Sequence, residues 1–221
     1  MPMKEQMNAM TTRRHALKLA LLAGLAVTAV GGTVTFPTHA LAQPAAKGAA
    51  DFVQSLGDRA IAVLADPKVS DAQAVEVFRD LLNKNFDVGT IGRFVLGRYW
   101  NTATAEQRDE YISLFERMIV DVYAQRFNQY AGETFKVTGA RPEGERDTVV
   151  TSQVLRPTGP PVNVAWRVRN RDGGFKIIDV VVENVSMSVT QRSEFASVIE
   201  QNGGRFEALL DALRQRTRTA G

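Results

Sequence analysis

Apolar positions recur with two periods along this 221-residue chain, and the change between them falls near Gly132. Upstream the spacing is three to four, the repeat of a helix with one buried face. A helix over about Asp51–Ala65 carries Phe52, Leu56, Ile61 and Leu64, and the segment DPKVS ends it. Ser70, with Gln73 three residues on, forms a capping-box pair for the next helix. That helix, about Asp71–Asn83, has Val75, Phe78, Leu81 and Leu82 as its apolar positions. Asp87 caps a short helix through Ile91, Phe94 and Val95 that stops at Gly97. Thr104 and Gln107 repeat the capping pair ahead of the longest helix, about Ala105–Tyr130. Its bulky positions, Tyr111, Ile112, Leu114, Phe115, Met118, Ile119, Val120, Val122, Tyr123, Phe127 and Tyr130, cover more than the stripe a surface helix needs. Two readings fit: a central helix with neighbours on two sides, or a helix that also walls an apolar cavity.

Downstream the period becomes two. Strands are expected at about Glu133–Ala140, Asp147–Arg156, Val162–Asn170 and Phe175–Val185. The third alternates cleanly, with Val162, Val164, Trp166 and Val168 on one face and Asn163, Ala165, Arg167 and Arg169 on the other. RPEGER, RPTGPP and RNRDGGFK supply three turns, so the strands form an antiparallel meander. The fourth strand, GFKIIDVVVENVSM, breaks the pattern. Strict alternation puts Phe175, Ile177 and Val181 on one face and Ile178, Val180 and Val182 on the other, so both faces call for cover. Helices at about Val189–Gln201 and Arg205–Arg216, split by Gly203-Gly204, close the chain. Helices, then a four-stranded antiparallel sheet, then two helices make an α+β fold.

Charge changes the picture at the amino terminus. Four of the 27 Lys and Arg (Lys4, Arg13, Arg14, Lys18) and one of the 24 Asp and Glu (Glu5) stand in residues 1–42, so the remainder carries 23 of each. The basic excess belongs to that leader, and a nucleic-acid partner, which needs a concentrated basic face, is not expected. TTRRHALK, an uncharged run rich in Ala and Gly, and THALA ending in Ala-x-Ala read as an export signal cleaved after Ala42. Its competitor, an uncleaved membrane anchor, has Gly31, Gly32, Pro37 and the Ala-x-Ala exit against it. The Arg13-Arg14 pair is similar to a twin-arginine signal, with Ala16 where that signal usually has Phe; folded and unfolded export both stay open. Residues 43–50 are expected as a disordered start and 51–221 as one domain.

Beyond Ala42 there is no Cys and no His, since His15 and His39 both lie in the leader. Thiolate chemistry, Ser–His–Asp catalysis and His-ligated metal are thereby excluded from the processed chain. No Gly-rich phosphate loop is present, and Gly89 and Gly92 stand isolated in a helical pattern. No cofactor is expected. Asp179, among Ile177, Ile178, Val180 and Val181, has two readings. Desolvation would make it a base, working with Tyr99 or Tyr111 as in cone-shaped isomerases, or it pairs with Arg167 or Arg169. Arg192 has two as well: anchoring a helix end or meeting an anionic head group.

From about Phe78 to Leu213 the chain resembles the MlaC (toluene-tolerance) family of exported lipid-binding proteins. The resemblance is carried by FRDLLNKNFDVGTIGRFVLGRYWNTATAEQRDEYISLFERMIVDVYAQRFNQYAG and by GGFKIIDVVVENVSMSVTQRSEFASVIEQNGG. Two positions depart: Asn184 stands where the family usually has Gly, and Gln191 where it has Tyr. The resemblance implies a periplasmic carrier, not an enzyme, with an apolar cavity between a curved sheet and helices. It implies a phospholipid or hopanoid-type ligand, an inner-membrane ABC transporter complex and an outer-membrane lipoprotein as partners. The residues expected to line that cavity are Phe94, Tyr99, Trp100, Tyr111, Phe115, Met118 and Val122 on the helices. On the sheet they are Val150, Val164, Trp166, Val168, Ile177 and Val181, with Arg192 at the head group.

Overall fold

The computed structural model describes residues 42–124, 130–171 and 174–219. Residues 1–41, where the leader is expected, residues 125–129 of the longest expected helix, residues 172–173 and residues 220–221 lie outside them. Helices α1 (Ala42–Ala65), α2 (Asp71–Asn85), α3 (Val88–Leu96), α4 (Tyr99–Thr102) and α5 (Ala105–Ala124) precede the sheet. Strands β1 (Thr134–Glu143), β2 (Asp147–Leu155), β3 (Val162–Arg171), β4 (Gly174–Val182) and β5 (Val185–Ser186) then pair in sequence order, all antiparallel. Helices α6 (Met187–Gln201) and α7 (Phe206–Thr219) follow. The α+β class stands, with five strands rather than four.

The expected caps form. Ser70 accepts from the Gln73 amide while the Gln73 side chain accepts from the Ser70 amide, and Thr104 and Gln107 do the same for α5. Asp87 Oδ1 accepts from the Thr90 amide at 3.0 Å. Residues 43–50 correct the expectation of disorder, for they are helical. Their Ala and Gly content reads as a linker, yet Ala46 and Ala49 are buried. Small side chains with good helix propensity let α1 lie close on the sheet.

The fifth strand arises from a two-residue hairpin at Glu183 and Asn184, both with positive φ (47° and 66°), which pairs Val182 with Val185. Asn184 adopts the left-handed conformation that Asn tolerates nearly as well as Gly. Glu183 is tied down by its surroundings: its amide donates to Asn163 O at 3.0 Å and its Oε1 accepts from the Asn163 amide at 2.6 Å.

A register shift resolves the puzzle of β4. Asp179 pairs with Arg167 and Ile177 with Val168, so Ile178 is an extra residue, a β-bulge. One inserted residue swaps the faces beyond it. Phe175, Ile177, Val180 and Val182 therefore share the inner face with Val164, Trp166 and Val168, while Lys176, Asp179 and Val181 share the outer face with Ala165 and Arg167. The strand is not apolar on both sides; it changes phase once.

Two apolar cores result. In the first, buried residues of α2, α3, α5, α6 and α7 surround Tyr111, Phe115, Leu114 and Met118. In the second, Ala49, Val53 and Leu56 of α1 meet Leu81 of α2 and Val150, Val168 and Ile177 of the inner sheet face. Phe86 packs against both. It is hydrogen-bonded into the join, since Phe86 bridges to Ile177 and the Asp87 amide donates to Ile177 O at 2.9 Å. Helices α2, α3 and α6 reach the sheet through β4, and α5 packs on α2, α3 and α7. Of the two readings given for the helix that begins at Ala105, the fold adopts the first, a central helix with several neighbours.

Candidate functional site

The inner face of the sheet is where the fold leaves apolar surface thinly covered. Cross-strand partners place Val154 and Val162, then Ser152, Val164 and Val182, then Val150, Trp166 and Val180 in successive rows across β2, β3 and β4. Helix α1 seals Val150, Val168 and Ile177, and Trp166 and Val180 pack partly buried at the margin of that cluster. Its approach over β1 is close because residue 57 is glycine: a Cβ there would fall 2.1 Å from Phe135 Cδ1. Gln54 secures the position by treating the free edge of β1 as a strand would. It accepts from the Val137 amide at 2.8 Å and donates to Phe135 O at 3.4 Å.

Trp166 and Val180 at the margin of the part sealed by α1, and Val154, Val162 and Val182 past it, are only half-buried. One polar pair interrupts this wall. Ser152 is buried and donates to Val164 O at 3.2 Å, while Trp166 Nε1 donates to Ser152 Oγ at 2.9 Å. The Trp166 ring stands edge-on to Phe135 at 6.1 Å. With its N–H satisfied inward, the indole presents carbon to whatever lies over it. An apolar surface with one internally satisfied polar pair matches the polarity of an aliphatic ligand.

The expected lining residues fall into three places. Tyr111, Phe115 and Met118 are buried in the helical core, with Val122 at its margin. Tyr111 stacks on Phe115 (5.6 Å), meets Phe195 and Phe206 edge-on, and donates from its hydroxyl to Gly92 O at 3.0 Å. Burial drives that hydroxyl's pKa far above the ordinary phenol value. Val150, Val164, Trp166, Val168 and Ile177 share the inner sheet face, but the bulge puts Val181 on the outer face. Phe94, Tyr99 and Trp100 lie on α3 and α4 with arginine side chains over their rings, Arg192 among them. Sequence reasoning missed Val154, Val162, Val180 and Val182. The signal for the last two was Asp179, the polar residue that marks where the phase changes.

Asp179 corrects a second expectation. Its cross-strand neighbour Arg167 pairs instead with Glu143 (2.6 Å), and Arg169 makes a two-pronged bridge to Asp147 (2.8 and 2.9 Å). Asp179 turns to the start of α6. Oδ2 accepts from Ser186 Oγ at 2.7 Å, and Oδ1 accepts from the Val180 and Ser188 amides at 2.9 and 3.2 Å. A carboxylate there meets the orphan donors and the positive end of the helix dipole, a better partner than an exposed arginine. The pair with Tyr99 or Tyr111 is not formed: Tyr111 bonds Gly92, and the Tyr99 hydroxyl lies with Arg98 and Glu200.

Comparison with known proteins adds a family. A family described as MlaC protein matches residues 54–215. The chain belongs to the MlaC family. Among curated relatives, it is 24% identical over 128 residues to the intermembrane phospholipid transport system binding protein MlaC of Haemophilus influenzae. It is 23% identical over 139 residues to the toluene tolerance protein Ttg2D of Pseudomonas putida. These matches cover 56% and 61% of this chain and span 59% and 65% of the relatives' own lengths. A solved structure, the phospholipid-binding protein of Ralstonia solanacearum in complex with a phospholipid, superposes with a TM-score of 0.68 at 25% identity. The superposition covers 78% of this chain and 98% of that one.

Proposed function

We propose that this chain is an exported carrier of phospholipid, not an enzyme, and that it holds acyl chains against the inner sheet face at and beyond the margin of α1. The observation that carries the reading is the half-buried wall of Val154, Val162, Trp166, Val180 and Val182 in a member of the MlaC family. The phospholipid bound to the structural relative supports the ligand class. Each buried methylene of an acyl chain contributes about 0.8 kcal/mol, so burial of the two chains of a phospholipid supplies most of the binding free energy without any charged contact. Tyr111, Phe115 and Met118 serve this site from behind, by holding the helical wall rigid. A hopanoid-type lipid is the alternative cargo, since an apolar valine wall also accepts a fused-ring skeleton.

In this reading the leader directs export and is cleaved after Ala42, placing the carrier in the periplasm. Among the described residues, the buried positions of α1 begin at Ala46, past that cleavage point. The carrier would receive and deliver lipid between an inner-membrane ABC transporter complex and an outer-membrane lipoprotein. The test is native mass spectrometry of the purified chain followed by solvent extraction. One phospholipid per chain is expected, and a polycyclic lipid in its place would favour the alternative cargo. A chain recovered without lipid, and unable to take any from vesicles, overturns the proposal.

A further inference from the structure

Three aromatic side chains expected to line the cavity instead form a surface with arginines laid over them. Trp100 carries two guanidiniums, Arg93 at 5.8 Å and Arg108 at 5.4 Å from its ring centre, and Arg108 Nε also donates to Trp100 O at 2.8 Å. Arg98 covers Tyr99 at 4.9 Å, and Arg192 of α6 covers Phe94 of α3 at 5.3 Å. Gly97 joins the last two. Its φ of +57° disfavours a side chain, and a Cβ would lie 2.9 Å from Arg192 Nε. These contacts make one continuous surface from α4 across α3 to α6.

Its charge is one-sided. Arg98 is bound to Glu200 at 2.6 Å, but among the described residues no carboxylate pairs with Arg93, Arg108 or Arg192. Glu194, nearby in sequence, is held by Gln191 at 2.9 Å. The same surface exposes apolar side chains: Phe94 is 44% exposed, and Val189, one helical turn before Arg192, is 52% exposed. Guanidiniums and aromatic rings, with apolar side chains standing free beside them, are the combination that suits the boundary between lipid head groups and acyl chains.

We propose that this surface docks the protein on an anionic phospholipid bilayer. Arg93, Arg108 and Arg192 meet head-group phosphates, while Phe94 and Val189 enter the interface. The occupant is a bilayer surface, because the positive charges are spread around exposed apolar side chains. A lone anion would need them gathered at one point. Docking is independent of cargo, since none of these residues belongs to the inner sheet face.

The test is flotation of the chain with vesicles of neutral phosphatidylcholine and with vesicles containing about a third phosphatidylglycerol. Wild type and variants are purified in the same processed form, its amino terminus read by mass spectrometry. Wild type is expected to bind the anionic vesicles at least tenfold more tightly, with the preference lost in high salt. The double variant Arg93→Glu/Arg192→Glu is expected to lose that preference, while Arg93→Lys/Arg192→Lys keeps it with normal folding. Equal binding of wild type to both vesicles, or full retention by the charge-reversed variant, overturns the proposal. The second outcome with correct folding places vesicle binding on another surface of the chain. Lipid content of the purified chain, read separately, is expected to be the same in all three proteins.

Discussion

The helical core and the sheet layer bury apolar surface by opposite means. Around Tyr111 the helices use large rings in fixed mutual geometry, with Phe115, Phe195 and Phe206 all within about 6 Å of it, centre to centre. Between α1 and the sheet the contacts come from Ala49, Val53 and Leu56, with glycine at 57 where Phe135 comes closest. Interlocked rings resist displacement because moving one opens a void around several. Helix α1 rests on the sheet mainly through small and aliphatic side chains, with one ring pair, Phe52 and Phe175, at 5.9 Å, and so can shift at less cost. The expected consequence is a stiffer helical half and a more adjustable sheet half, and the half-buried wall proposed for lipid lies in the second.

The largest effect should come from breaking the rigid half. Phe115→Ala removes a ring that stacks on Tyr111 and meets Phe195 edge-on. A loss of about 3–5 kcal/mol is expected in urea unfolding, as for buried phenylalanines in general. Val162→Ala on the half-buried wall, by contrast, should cost well under half as much and lower the amount of lipid recovered. Equal stability losses at the two sites would erase the distinction drawn between the halves.

A smaller effect tests the adjustable half. Gly57→Val should force α1 off Phe135, at an expected cost of about 1–3 kcal/mol from overpacking. Amide exchange should then quicken through α1 while the amides of α5 keep their protection. If α5 loosens as much as α1, the two cores act as one and the division fails.

This division was only partly visible in the sequence. Local signals were read well: capping pairs at Ser70 and Thr104, turns between the strands, and the alternation of Val162 to Val168 all describe interactions within a few residues. Signals that depend on distant partners were misread. Ile178 looks like any strand residue until pairing with β3 shows it to be extra, so Val180 and Val182 were assigned to the wrong face and Val181 to the pocket. The residues 43–50 looked unstructured because alanine and glycine carry no amphipathic stripe, and only the sheet they rest on explains them. Asp179 faced Arg167 as expected, but the start of α6, remote in any strand-pairing argument, took its carboxylate. Phe94, Tyr99 and Trp100 were apolar enough for a cavity; the arginines that cover them come from α3, the cap of α4, α5 and α6 and could not be placed by periodicity.

The smallest expected effect is electrostatic and belongs to the rigid half. Arg214 of α7 holds Glu110 of α5 through two bonds of 2.7 Å and also meets Glu207 and Asp211. The hydrogen bonds from Arg214 hold the Glu110 carboxyl below the ordinary value of 4.5. A depressed folded-state pKa means that the clamp stabilises the protein above pH 4.5 and is lost as pH falls through the lower, folded-state value. Wild type and Glu110→Gln should therefore differ in urea midpoint at pH 7 and converge as acid protonates the wild-type carboxyl. Because the pair is partly exposed, salt should shrink the difference as well. Lipid recovered from the two proteins at pH 7 should be the same, since the clamp joins α5 to α7 and touches nothing on the sheet. A midpoint difference unchanged by pH would show that Glu110 acts by packing alone. Altered lipid content would tie the helical clamp to the sheet wall and join the halves that the structure keeps apart.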